Sequence, residues 1–234
     1  MALDLYVGPI SRYLNGDWEN LGQQAAKEAG IDYVIVGGTK PPRSFIGRWF
    51  ANRAYAQWKK SLQQSLTALG DNTPLWNDDA QQGFATERPG WEGIIALGIV
   101  YSHRVIAGHP FPSGEIHHTI FDTDQAYQTF SKESNNLHNL LNCKLWIPGT
   151  FADPFTAPFV QGEPVCIGSI RALNLVLDHA CDVWPIARAE VEKLVLDQPG
   201  PEDPWEDAAL YGLSTFCRMA SYAHQHNLPM IQDF

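Results

Sequence analysis

The stretch LDLYVGPISRYLNGDWENL, residues 3–21, opens the chain and decides how the rest is read. Leu3 to Gly8 is apolar without clean alternation, the pattern of a strand buried on both faces, and Gly8-Pro9 ends it. Asp17 then stands where a helix cap is wanted. Trp18, Leu21, Ala25 and Ala29 follow at helical spacing, with Gly30 as the stop. Residues 31–36, β-branched and closed by Gly37-Gly38, read as a second strand. A buried strand followed by an amphipathic helix at the start of the chain points to a sheet with helices packed on it.

The same reading carries outward. Apolar residues recur at helical intervals over 44–69, and Gly90-Trp91-Glu92 opens a very apolar helix over 90–105 after a polar loop. Residues 107–122 are a loop rich in Gly, Pro and His, and a helix is expected over about 123–141. Residues 144–149 read as a strand and 151–159 as an irregular aromatic and proline loop. Residues 165–167 are a short strand, and Ser169 is the N-cap of a helix over 170–182. Further helices are expected over 185–196 and, after a Pro/Gly break, over 205–226, with a closing strand at 230–232. The expected fold is α+β, with a helix-rich α/β arrangement as the alternative. About six or seven helices would surround a small sheet of about four or five short strands, in a single domain over 1–234.

Composition fits this. Of 234 residues, 44% are hydrophobic, with eight Trp, eight Tyr and eleven Phe, enough for a large packed interior. No positively charged segment with an apolar run opens the chain, and no run is long enough to span a membrane, so a cytoplasmic protein is expected. Cys143, Cys166, Cys181 and Cys217 are scattered in apolar stretches without a C-x-x-C pair. They read as small buried hydrophobes, not as a disulfide or zinc framework. The net charge of −10 is uneven. Residues 1–117 hold ten Lys and Arg against eleven Asp and Glu, and residues 118–234 hold six against fifteen, so the halves carry −1 and −9. That balance argues against nucleic acid or an anionic membrane as main partner and suits the C-terminal half to a basic surface.

Four constellations could carry chemistry. His103, His109, His117 and His118, with Asp122 and Asp124 beyond, are ligand types suited to zinc, although their spacing is not one that rigid metal pairs use. Lys40, Arg43, Arg48, Arg53, Lys59 and Lys60 interleave with aromatics and contain no acid, as a nucleic-acid groove would. On a helix, however, the aromatics would take the core-facing positions and the cations a solvated face. Gly168-Ser169-Ile170 lacks the second glycine of a nucleophile elbow, and 36–40 lacks the spacing of a phosphate loop. Glu202, Asp203, Glu206 and Asp207 frame Trp205 at a helix start. There they favour the helix dipole, and the indole is either a partner anchor or a staple to the core. The opening residues Tyr6, Arg12, Tyr13, Asp17 and Glu19 also have two readings, as the first turn of the fold or as the lining of a pocket at the strand's C-terminal end.

Leu3-Asp4-Leu5-Tyr6-Val7-Gly8, Arg12-Tyr13 and Gly16-Asp17-Trp18-Glu19 together resemble the N-terminal signature of an uncharacterised family of bacterial cytosolic proteins. Arg88-Pro89-Gly90-Trp91, Leu145-Trp146-Ile147-Pro148-Gly149, Val165-Cys166-Ile167-Gly168-Ser169 and the run from Ala208 to Phe234 extend the resemblance in islands that exclude the histidine loop. It implies a small accessory protein, immunity-protein-like, and brings no catalytic residues with it. The leading expectation is therefore a cytosolic binding protein of the immunity or antitoxin type, rather than an enzyme. It would neutralise a basic toxin domain through Trp205 and its acidic neighbours and need no cofactor. The alternative is a metal-dependent hydrolase built on the histidine loop, and the third reading is a nucleic-acid or nucleotide binder using Arg43, Arg48 and Arg53.

Overall fold

Alternating burial along the first strand organises the whole molecule. In the computed structural model, which describes residues 3–31, 45–79, 81–106, 108–132, 137–160 and 162–233, that strand is β1 (Asp4–Val7). Leu5 and Val7 enter one core and Tyr6 enters another on the opposite face of the sheet. β1 lies between β2 (Ala85–Glu87) and β6 (Met230–Asp233), antiparallel to both. The sheet continues through β3 (Leu145–Ile147), β5 (Pro164–Ser169) and β4 (Phe155–Pro158), in the order β2-β1-β6-β3-β5-β4. Among the described residues only the β3–β5 pair is parallel. With helices on both faces of a mixed six-stranded sheet the fold is α+β, as expected, and richer in strands than the four or five foreseen.

The helices are α1 (Ile10–Asn15), α2 (Leu21–Glu28), α3 (Phe45–Ala68), α4 (Gly90–Val105), α5 (Ile120–Thr123), α6 (Gln125–Phe130), α7 (Leu137–Leu141), α8 (Ile170–Val183), α9 (Arg188–Val191) and α10 (Trp205–His226). Helices α4, α6, α7, α8 and α10 supply the larger core, into which Trp146 and Phe216 are buried edge to face. Helices α1 and α3 cover the other face with Tyr55, Trp58, Leu62 and Leu66, joined by Trp76. Each such side chain, fully buried, contributes about 1.5–3 kcal/mol. Among the described residues no helix is long and apolar enough to cross a membrane.

Helix α4 is buried along most of its length, from Gly93 to Ser102. It can be so because Gly212 lets α10 approach to backbone contact at Gly93. A Cβ placed on Gly212 would lie 2.3 Å from the Gly93 carbonyl oxygen. On the other side of the same crossing a Cβ on Gly93 would meet its nearest atom at 3.3 Å, in the Tyr211 ring. No side chain other than hydrogen fits at position 212.

Several expectations need correction. Asp17 does not cap α2. Asn20 does, in a reciprocal capping box with Gln23, and the Asp17 carboxylate instead grips Arg48 through two bonds of 2.7 and 2.8 Å. Residues 10–15, expected as part of a turn, form α1, whose first two N–H groups donate to the Asp78 carboxylate. The helix expected over about 123–141 starts at Gln125 with Asp124 as its cap, but α6 stops at Phe130, where the chain turns at Ser131 and Lys132, and α7 is a separate element; α5 begins within the loop expected over 107–122. That expected over 185–196 shortens to the single turn α9 after Pro185, which has φ +23°. Residues 155–158, expected as loop, pair with β5 as an edge strand. On α3 the aromatics do not all face inward. Trp49 and Phe50 are 53% and 60% exposed, immediately before the buried stripe that starts at Ala51. The strand expected over 31–36 lies, beyond Ile31, outside the described residues.

One buried carboxylate ties the loop after α3 to the end of β3. Asp71, 4% exposed, accepts the N–H groups of Thr73, Thr150 and Phe151. Burial pushes its carboxyl up, but these bonds and that of the Thr73 side chain outweigh it and hold the pKa down to about 2. A carboxyl depressed on folding stabilises the protein above its unfolded pKa of about 4 and loses that contribution as pH falls toward 2. Asp71→Asn is expected to cost about 2 kcal/mol in urea unfolding at neutral pH, with the gap to wild type closing between about pH 4 and 2. Gly212→Ala is expected to cost about 3 kcal/mol by the same measurement and Gly93→Ala distinctly less.

Candidate functional site

The start of α10 is where separate candidate residues meet. Trp205 is the first residue of the helix, 7% exposed, with its indole N–H on the Gly114 carbonyl at 3.0 Å. It is the staple to the core and offers no exposed anchor to a partner. The Ile116 N–H donates to the Pro201 carbonyl at 2.7 Å, and the Ile116 side chain is buried. These two bonds lay the strap 114–118 along the loop 200–205. The loop is itself drawn tight by Asp203, whose carboxylate accepts the Gly200 N–H at 2.6 Å.

The consequence is one acidic face. Glu115 from the strap and Glu202, Asp203, Glu206 and Asp207 from the loop and helix start are all exposed on it. Glu206 and Asp207 occupy the first turn, where the helix dipole favours negative charge. Arg104, at the C-terminal end of α4, reaches Glu206 at 2.9 Å and lies over the Trp184 ring. His117 and His118 follow Ile116 on the strap, exposed, with ring centroids 4.2 Å apart. Half of the histidine loop and the acid cluster, far apart in sequence, thus share one edge of the molecule.

The other two histidines do not join them. His103 is buried against Asp124, its Nε2 2.7 Å from the carboxylate, with Phe111 packed on its ring. His109 is half-buried on the loop. Among the described residues no three His, Cys, Asp or Glu side chains stand close enough to hold one ion. The four-histidine centre expected from the sequence is therefore not assembled. Asp124 is explained structurally, as it holds His103 through one oxygen and the Tyr127 N–H through the other.

The opening residues are gathered around a group of aromatic rings. Tyr6, Tyr13, Trp18 and Phe84 stack in sequence, with centroids 5.2 to 6.0 Å apart, and Arg12 lies over Phe84. The Tyr6 hydroxyl donates to the Pro9 carbonyl and the Tyr13 hydroxyl to Asp233. Burial, reinforced at Tyr13 by Asp233, pushes both phenols up, so both remain neutral donors. Arg12 donates to the Asp17 and Gln82 carbonyls, and Glu19 pairs with Lys27. Each of the five side chains expected here thus has a polar partner, with Asp17 held by Arg48, and this bonding accounts for them as the first turn of the fold. Of the cations considered for nucleic acid, Arg48 is held by Asp17 and Arg53 lies over Trp49, while Arg43 is outside the described residues.

Two clefts were not foreseen. One, of about 170 Å³, opens between Gly149-Thr150 at the end of β3 and Asn227, and it shares Arg171 and His224 with a second of about 350 Å³ bounded by Asp178 and Arg188. They sit where open sheets commonly receive ligands, beyond the carboxyl ends of parallel strands. No local motif marks their residues, since they come from the two ends of α8 and α10. No protein-family model, curated protein or solved structure matches this chain. Asp124→Ala, which removes the α6 cap and leaves His103 buried without its partner, is expected to cost about 2–3 kcal/mol in chemical denaturation.

Proposed function

We propose that the chain is a cytoplasmic binding protein of the immunity or antitoxin type, which holds a basic toxin domain against the acidic face at the start of α10. The observation that carries this reading is the convergence of Glu115 with Glu202, Asp203, Glu206 and Asp207, through the strap bonds at Gly114 and Ile116. Five exposed carboxylates on one edge set up a field that steers a cationic partner and raises its association rate. The −9 balance of the C-terminal half supports it. Two of that half's arginines, Arg188 and Arg218, are already committed to Asp178, Glu192 and Glu87.

An acidic rim steers, but an apolar centre holds. Trp205 is buried, so that role passes to Phe111, 45% exposed, which leans on His103 at the same end of α4 that carries Arg104. The reading thus assigns specificity and on-rate to the carboxylates and residence time to Phe111.

The test is co-expression with basic toxin domains encoded beside the gene, followed by binding kinetics at low and high salt. A one-to-one complex is expected, with an association rate that falls steeply with salt. In the variant E202Q/D203N/E206Q/D207N that rate should drop roughly tenfold or more at low salt while the fold is retained. An unchanged rate in the variant, or binding indifferent to salt, contradicts the proposal.

A further inference from the structure

The four cysteines, expected as independent buried hydrophobes, stand as two pairs. Cys143 precedes β3 and Cys166 lies in β5. The parallel register Leu145↔Ile167, with the Lys144 N–H on the Cys166 carbonyl, brings their Sγ atoms to 3.3 Å. Cys181 of α8 and Cys217 of α10 approach to 3.9 Å between the helices. A disulfide needs about 2.05 Å between sulfurs and Cα atoms about 4.4–6.8 Å apart, and neighbouring strands lie about 4.8 Å apart. The first pair therefore needs only side-chain rotation and a small shift to close.

Access separates the two pairs. Cys181 and Cys217 are both buried, whereas Cys166 is half-buried, one strand in from the edge strand β4. The thiol–thiol hydrogen bond holds Cys166 down, against the opposing pull of burial, and pushes Cys143 up, so Cys166 is the first to ionise. Cys181 is lowered in the same way, but it is buried, as is its partner Cys217.

We propose that Cys143 and Cys166 form a modification site at which a peroxide makes a reversible disulfide, while Cys181 and Cys217 stay reduced. The Cys166 thiolate attacks one peroxide oxygen, the O–O bond breaks, hydroxide leaves and Cys166 becomes a sulfenic acid. That hydroxide takes the Cys143 proton, forming one water. The Cys143 sulfur then attacks the Cys166 sulfur, the S–O bond breaks, and the departing hydroxide takes up the proton Cys166 first released. Two thiols have lost two electrons and two protons, and one peroxide has become two waters. The bridge closes a loop that contains β3 and β4 and ties the β4–β5 hairpin to the corner after α7.

The experiment treats the purified full chain with hydrogen peroxide, alkylates the remaining thiols, and reads intact mass, cross-linked peptides and melting temperature. Expected are a loss of two hydrogens, two cysteines protected from alkylation, and a peptide joining Cys143 to Cys166. The melting temperature should rise by roughly 5–10 °C, and a dithiol should reverse everything. In Cys143→Ser the reaction should stop at a Cys166 sulfenic acid, trapped by dimedone, with no rise in melting temperature. A bridge at Cys181–Cys217 under the same treatment, oxidation of Cys166 beyond sulfenic acid in the wild type, or four thiols still free would each overturn the assignment.

Discussion

Helix α10 touches α4 through backbone, at Gly93 and Gly212, and most of the architecture hangs on that contact. Two helices can come this close only because Gly212 carries no side chain, and the gain is dense packing along both. Were α10 displaced outward by even a methyl group, its two ends would move with it. One end enters β6 through the left-handed Asn227, and the other seats Trp205 under the Gly114 carbonyl. The crossing therefore fixes the sheet and the acidic edge at once, from the same buried point.

The sheet closes the chain on itself. β1, the first described element, pairs with β6, the last, so Leu5 lies opposite Gln232 and Tyr6 opposite Ile231. Because successive strand residues point to opposite faces, this pairing feeds two cores with alternate side chains. Tyr6 serves the face covered by α1 and α3, and Leu5 and Val7 serve the face covered by α4 and α10. Losing β6 would uncover both cores, whereas α9, a single turn at the surface, is held by Arg188 and its neighbours on α8 and α10.

What could be read in the sequence follows from where each element's cause lies. Helices α3, α4, α8 and α10 declare themselves by periodicity, and Ser169 does so as a cap, because their signals are local. α1 was invisible because its N-terminal cap, Asp78, is 68 residues away from Ile10. β2 is short and gains its pairing from β1, remote in sequence, while β4 is a short edge strand whose aromatic and proline composition hides its hairpin with β5. The end of α6 at Phe130, inside the helix expected over 123–141, has no Gly or Pro to announce it, since the chain turns at Ser131 and Lys132. The same divide runs through the site. The acids at the start of α10 are legible in sequence, but their union with Glu115 and the burial of Trp205 require the strap. The pairing of Cys143 with Cys166 requires the parallel register of β3 with β5.

The central functional claim is that one edge, made by the strap 114–118 and the segment 200–207, meets a basic partner. Hydrogen–deuterium exchange of the protein alone and in complex with a basic toxin domain addresses it most directly. The account predicts slower exchange in both segments on binding, with α3 and the clefts at Arg171 and His224 unchanged. Protection confined to α3 or to those clefts, with both segments exchanging as in the free protein, would contradict it.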